Sequence, residues 1–266
     1  IISWATIEDT IDKKLIVLEK KNKILSISII EHWTFFKKRF YFRGNYYYPD
    51  FILVNDKYSK KMALKEGLPK NKIIISGNEY LKNLIKNKPK IKLKNNKKIL
   101  FISEPMSETH SKRTLKKFGY DEFKSLNAIL KNKPRNYTVT VKLHLKKKKS
   151  KFKRYFEKVS FLKIKNINHI CQNHKIIIGM TSMLLVELGI YRNDIMSLRI
   201  NSRNNFFGNK LGLTKMVKNE KQLIKFFKKP PINNNKKFIE NINSIQNKSQ
   251  FILKKLQIMH KKIRIE

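Results

Sequence analysis

Residues 48–81, YPDFILVNDKYSKKMALKEGLPKNKIIISGNEYL, leave few ways of folding. The run FILV at 51–54 is short, apolar and partly β-branched, and so is IIIS at 73–76. Between them, residues 58–66 carry apolar side chains at helical spacing and stop at Gly67. Strand, helix and strand in that order cannot close as a hairpin. The two strands must lie parallel, joined by a right-handed crossover. A chain holding such a unit is committed to a layered α/β fold.

The same alternation runs along the rest of the chain. Before this unit the pattern predicts an apolar strand end over 1–4, an amphipathic helix over 8–20 with Ile11, Leu15 and Leu18 on one stripe, and a strand over 24–30. The aromatic and basic segment 31–48, EHWTFFKKRFYFRGNYYY, has no clean period and is read as a loop on the sheet rim. Residues 82–98 are rich in Lys and Asn and contain Pro89, as a linker would. Strands are then predicted at 98–105, 137–145, 161–164, 176–179 and 194–199, with helices at 120–130, 182–188 and 221–227. Residues 106–118 read as a polar loop, and 238–263 as a long helix.

In open parallel sheets ligands bind at the carboxyl ends of the strands. Ser103-Glu104, His144 and Gly179-Met180-Thr181-Ser182 all fall at such ends, so one sheet edge gathers them. Gly179 permits close backbone approach, and two hydroxyls with the first N–H groups of a helix suit an anion. The plainer reading makes Thr181 an ordinary helix cap. His144 can donate to a phosphate near neutral pH, or be a structural histidine at a sheet edge. The four lysines at 146–149 read as a solvated loop.

Composition narrows the classes. The formal net charge is +42, yet only nine of the 61 basic residues are Arg. Lys, Asn and Ile share A/T-rich codons, and readers of nucleic acid favour Arg for bidentate contacts. Codon bias therefore explains the charge better than a nucleic-acid partner does. With one cysteine, Cys171, no internal disulfide can form. No apolar run reaches the roughly 20 residues of a membrane span. The Walker-type phosphate loop, the G-x-S-x-G elbow and G-x-G-x-x-G are all missing from a sequence with eight glycines.

Two stretches resemble a known family. The "VND…EGLP…KIIISGN" wording of 54–78 is similar to the end of the N-terminal domain in GT-B-fold sugar-nucleotide enzymes, especially those of bacterial surface polysaccharide assembly. The stretch GMTSMLLVELG at 179–189 resembles the donor-phosphate segment of GT-B transferases, bacterial sialyltransferases and glycerophosphotransferases among them. The resemblance implies an α/β, GT-B-like fold of two Rossmann-type parallel-sheet domains, with early strands of the N-terminal one missing from this sequence. Residues 1–85 would form the acceptor side, 86–97 the linker, 98–230 the nucleotide-donor domain and 231–266 a C-terminal helix. It implies that Gly179, Thr181 and Ser182 hold the donor phosphate, that Glu187 takes the ribose hydroxyls, and that His144 assists the leaving group. The family has His-Pro where this chain has His144-Leu145. Glu31 and His32 match an acidic residue and His facing the cleft, and one of them would be the base.

The expected function is a glycosyltransferase-like enzyme using a nucleotide-activated donor. Within the fold the alternative is a non-hydrolysing UDP-N-acetylglucosamine 2-epimerase. Outside it stand a basic nucleic-acid-binding protein without catalysis and a catalytically dead fragment. The implied partners are a nucleotide-sugar donor and a saccharide or lipid-linked acceptor, with no cofactor and no metal. The expected place is the cytoplasm, with contact to anionic headgroups on the inner face of the membrane.

Overall fold

A computed structural model describes residues 1–22, 24–144, 149–162, 166–202 and 206–245, and positions 250, 252, 254 and 257. The chain divides into two compact units, Ile1–Asn83 with Glu240–Glu266, and Leu84–Ile239. The fold is α/β with parallel sheets, as the strand–helix alternation requires.

The first unit is built on β1 (Ile2–Trp4), α1 (Ile11–Lys21), β2 (Ile27–Ile30), the hairpin strands β3 (Tyr41–Phe42) and β4 (Asn45–Tyr46), β5 (Phe51–Val54), α2 (Lys57–Lys65), β6 (Ile73–Ile75) and α3 (Glu79–Lys86). Its sheet runs β1-β2-β5-β6, all parallel. The βαβ unit predicted over 51–76 is β5-α2-β6, with Gly67 at φ 84° just beyond the helix. Strand β2 is buried at every position, as expected of a parallel strand covered on both faces. Edge strand β1 differs from the buried strand end expected at 1–4, because only Ser3 of its three residues is buried.

Segment 31–48 departs from the loop read in the sequence. It holds a 3₁₀ turn, Lys37–Phe40, and then the hairpin β3-β4. The two-residue turn Arg43-Gly44 has φ of 46° and 87°, the pair of left-handed conformations that matches the twist of a tight hairpin. The aromatic run hid a turn signal that lies in Arg43-Gly44-Asn45.

Asp56 shows how closely local capping and packing are joined here. Its Oδ1 accepts the Ser59 N–H at 2.6 Å, capping α2, while Oδ2 accepts the Trp33 indole N–H at 2.7 Å. Both Asp56 and Trp33 are fully buried, and burial pushes the Asp56 carboxyl up. Asn78 does the same for α3, accepting the Leu81 N–H at 3.0 Å and bonding Asn55 at 3.3 Å.

The second unit contains β7 (Lys98–Ile102), α4 (Met106–Thr109), α5 (Lys112–Phe118), α6 (Glu122–Asn132), β8 (Thr138–Lys142), β9 (Ser160–Phe161), α7 (Ile167–Asn173), β10 (Ile176–Gly179), α8 (Met183–Tyr191), β11 (Met196–Leu198), α9 (Phe207–Lys210), β12 (Lys215–Val217) and α10 (Glu220–Lys228). Helix α11 (Lys236–Ser244) spans the boundary between the units. The sheet order is β12-β11-β10-β7-β8-β9, every pair parallel. Numbered from β7, this is the doubly wound order 3-2-1-4-5-6, whose direction reverses between β7 and β10. Alternate strand residues, Ile99, Phe101, Val139, Val141, Ile176 and Ile178, join Leu126, Ile129, Leu223 and Phe227 in one core. On the opposite face Leu185 closes on Gly179, where an added Cβ would stand 3.0 Å from it.

Other departures have local causes. Residues 106–118 form α4 and α5 rather than a loop, with Ser111 capping α5 and Gly119 ending it at φ 83°. Helix α7 escaped notice because it is short. The C-terminal helix, read in the sequence from 238, starts at Lys236. This stretch ends at Ser244, and the described positions 250, 252, 254 and 257 are again helical, as expected of 238–263. The predicted strand end at 163–164, lysines 146–148, Leu145, and Leu256 with residues 258–263 lie outside the described residues. Among the described residues no helix is long and apolar enough to cross a membrane.

Removing Asp56 uncaps α2 and leaves a buried indole N–H without its acceptor. Asp56→Ala is expected to destabilise the chain by about 2–4 kcal/mol, the cap and the orphaned donor together. Urea unfolding of the two proteins measures the difference.

Candidate functional site

Parallel register brings the candidate residues of the second unit to one edge. Met216, Ser197, Gly179, Ile102 and Lys142 are paired side by side across five strands. Two residues further along those strands stand Lys218, Arg199, Thr181, Glu104 and His144. This row lies outside the carboxyl ends, with Thr181 and Glu104 on the two sides of the switch point.

Glu104 closes that crevice. Its Oε1 accepts the Thr181 N–H at 2.6 Å and its Oε2 accepts the Thr181 hydroxyl. The N–H groups of Ser182 and Met180 also donate to it. Burial pushes the Glu104 carboxyl up, against these four donors, which favour the charged form. The donors that the sequence assigns to a ligand anion are therefore aimed at a carboxylate of the chain itself. Ser182, rather than Thr181, is the N-cap of α8, its Oγ accepting the Leu184 N–H at 3.3 Å.

Behind the carboxylate stand Arg199 and Tyr120, both buried. Burial lowers the guanidinium's pKa, opposed by Tyr120 and Glu104; burial raises the phenol's, opposed by Arg199. The Arg199 fork donates to Asn209 Oδ1 at 3.3 Å and lies 5.9 Å from the Tyr120 ring. Its Nε, like the Oγ of Ser103, is buried without a hydrogen-bond partner among the described residues. This edge therefore gathers a buried cation, a carboxylate and the first N–H groups of a helix.

The remaining predicted residues of this unit lie further out. His144 is exposed on the strand beside β7. Glu187 is half-buried on α8, roughly 7 Å along the axis from the Ser182 cap at 1.5 Å per residue. The groups bonding Glu104 do not include it; its charge raises the Tyr191 hydroxyl, secondary to burial.

In the first unit Glu31 and His32 follow β2 at the carboxyl edge of that sheet. The Trp4 indole N–H reaches Glu31 Oε2 at 3.4 Å, and His32 Nδ1 shares a hydrogen bond with the Thr34 hydroxyl at 2.8 Å. Burial, helped by the charge of Arg39, lowers the His32 pKa to about 4. The ring is therefore neutral at physiological pH and a weak proton acceptor. Among the described residues, no group of three or more His, Cys, Asp or Glu is placed to hold a metal ion.

No protein-family model matches this chain, and a search of curated proteins finds no relative. Solved structures do match. The UDP-GlcNAc 2-epimerase of Methanocaldococcus jannaschii, in complex with UDP-GlcNAc and UDP, aligns with 91% of this chain and 74% of its own, at a TM-score of 0.54 and 15% identity. The epimerase of Neisseria meningitidis bound to UDP-GlcNAc aligns with 96% of this chain and 75% of its own, at 0.55 and 16%. S. aureus MnaA, determined with UDP, aligns with 92% and 68%, at 0.55 and 12%. The fold is that of the UDP-GlcNAc 2-epimerases. It is the GT-B-like fold of sugar-nucleotide enzymes, as the resemblance of residues 54–78 and 179–189 implies.

Sequence reasoning passed over Arg199 and Tyr120, and noted Glu104 only as a strand-end group. Arg199 had a signal, an arginine closing the apolar strand MSL. Tyr120 had none, since it reaches the edge from the loop after α5.

The neutral state of His32 has a consequence for acid stability. Unfolded, the ring takes a proton near 6.5; folded, only at about 4. The unfolded chain thus binds more protons in between, so His32 makes stability fall as pH drops from 6.5 to 4, by on the order of 2–3 kcal/mol. His32→Gln should flatten this part of the curve in urea unfolding at stepped pH.

Proposed function

We propose that this chain is a sugar-nucleotide enzyme that binds the diphosphate of its substrate in the switch-point crevice of the second unit. The arrangement of Glu104, Thr181 and the α8 N-terminus in front of buried Arg199 carries this reading. Phosphate oxygens entering there would take the N–H groups of residues 180–182 and the Thr181 hydroxyl, with Ser182 at the cap. They would also meet Arg199 Nε and Ser103 Oγ, which lack partners among the described residues. Glu104 must yield for this, by taking a proton or turning away. His144 then lies on the neighbouring strand, and Glu187 further along α8 is the candidate for the ribose hydroxyls.

Structural likeness to proteins determined with UDP and UDP-GlcNAc supports a uridine diphosphate sugar, and an epimerase reaction over glycosyl transfer. Inverting a carbon beside the anomeric centre requires a proton to be removed and returned there, which needs acid and base groups but no acceptor. Glu104 and His144 in the second unit, and Glu31 and His32 in the first, are the groups available. Transfer to a saccharide or lipid-linked acceptor in surface polysaccharide assembly is the second reading, favoured by the sequence resemblance at 179–189. Appearance of the epimeric UDP-sugar without any acceptor decides for the first; product formed only with an acceptor decides for the second.

Binding itself is tested by thermal shift with UDP, CMP and CDP, short DNA serving as the polyanion control. UDP is expected to raise the melting temperature selectively. Arg199→Met should weaken UDP on the order of tenfold or more by removing a buried charged donor, and Ser182→Ala by a few-fold. Equal shifts by every polyanion would remove the sugar-nucleotide reading.

Glu104 and a phosphate compete for the same donors, so UDP affinity should fall as pH rises through the titration of this carboxyl. Glu104→Gln, which leaves a neutral amide in its place, should flatten that dependence in calorimetric titrations at several pH values.

A further inference from the structure

The first unit displays an aromatic surface that neither sheet edge uses. Within Trp33-Thr34-Phe35-Phe36, Trp33 and Phe36 are fully buried, whereas Phe35 is 57% exposed. Phe35 takes φ 59°, a left-handed conformation that is a true outlier for a bulky side chain. Such strain persists only where the surroundings enforce it, and it marks functional segments. Here Glu66 Oε2 accepts the Lys37 N–H at 2.9 Å, while Arg39 donates to the carbonyls of Ala5 at 2.7 Å and Thr34 at 3.4 Å. The loop is held so that Phe35 points outward.

Beside it the hairpin presents Tyr41 and Tyr46, 43% and 44% exposed, with ring centroids 5.2 Å apart. Phe35, Tyr41 and Tyr46 line one groove of about 400 Å³ with Lys37, Lys38 and Glu66. The Lys37 ammonium lies 4.7 Å from the Tyr46 ring, and at the hairpin tip the Arg43 guanidinium lies 5.2 Å from the Phe42 ring. Exposed rings interleaved with cations are the composition of a surface that sits at lipid headgroup level: the rings enter the interface and the cations meet phosphates. Lys37, Lys38 and Arg43 give this face the positive charge that complements an anionic layer. A saccharide also stacks on rings, but among the residues lining this groove one carboxylate, Glu66, stands against two cations, Lys37 and Lys38.

We propose that Phe35 and the 41–46 hairpin dock this protein on an anionic lipid bilayer. The inference stands apart from the sugar-nucleotide reading and survives its failure.

Co-sedimentation with vesicles of phosphatidylcholine, alone or mixed with phosphatidylglycerol, tests it. The protein should bind the anionic vesicles, and Phe35→Gly should bind on the order of tenfold more weakly as one ring leaves the interface. Glycine accepts φ 59° freely, so this variant should melt at the same temperature or higher, which separates lost docking from lost folding. Tyr41→Ser/Tyr46→Ser should weaken binding as well. Lys116→Gln/Lys117→Gln, an exposed pair on the second unit, should bind like the parent. Three results overturn the proposal: Phe35→Gly binding as tightly as the parent, the Lys116/Lys117 variant losing as much as Phe35→Gly, or inert vesicles alongside a saccharide ligand for the groove.

Discussion

Glu104 reaches from the end of β7 across the switch point onto the first N–H groups of α8, and the carboxyl edge of the second unit is organised around that contact. β7 and β10 are central neighbours in the sheet, so the contact links the two halves of the doubly wound order. Its energetics are divided. A negative charge at a helix N-terminus gains up to ~2 kcal/mol in a partly buried setting, while burial works against charge of any sign. Arg199 and Tyr120 stand behind it as a buried pair that shares the same field. The donors to that carboxylate are N–H groups fixed by the fold, joined by the Thr181 hydroxyl.

The two units apply one rule to different ends. In each, parallel strands deliver polar residues to a carboxyl edge. In the first unit, Asp56 and Asn78 serve as helix caps, and Asp56 also holds a buried Trp33. In the second, Ser182 caps α8 and Asn219 caps α10, while Glu104 turns its carboxylate onto Thr181. A charged residue at a strand end thus has two uses, and the partner of its oxygens distinguishes them.

The lysine excess gains meaning only where structure places it. Spread along the chain, it tells little beyond codon usage. Lys37 stands 4.7 Å from the exposed Tyr46 ring and Arg43 5.2 Å from the half-buried Phe42 ring, beside a strained loop held by named hydrogen bonds.

Sequence alone was enough for the parallel α/β class, for the βαβ unit at 51–75, and for the edge on which Glu104, His144, Thr181 and Ser182 gather. Those follow from short-range rules: apolar period, a glycine stop, and the requirement that parallel strands end on the same side. It misjudged 31–48 and 106–118, where turns are set by one or two residues in left-handed conformations and the apolar pattern carries no trace of them. Only the tertiary structure decided that Glu104 takes the Thr181 donors, that Arg199 and Tyr120 stand behind it, and that Phe35 faces out. Each depends on residues brought together from separate parts of the chain: Glu104 and Thr181, Arg199 and Tyr120, Phe35 and its clamp from Glu66 and Ala5. Such distances are fixed by strand register and loop closure, which no local pattern encodes.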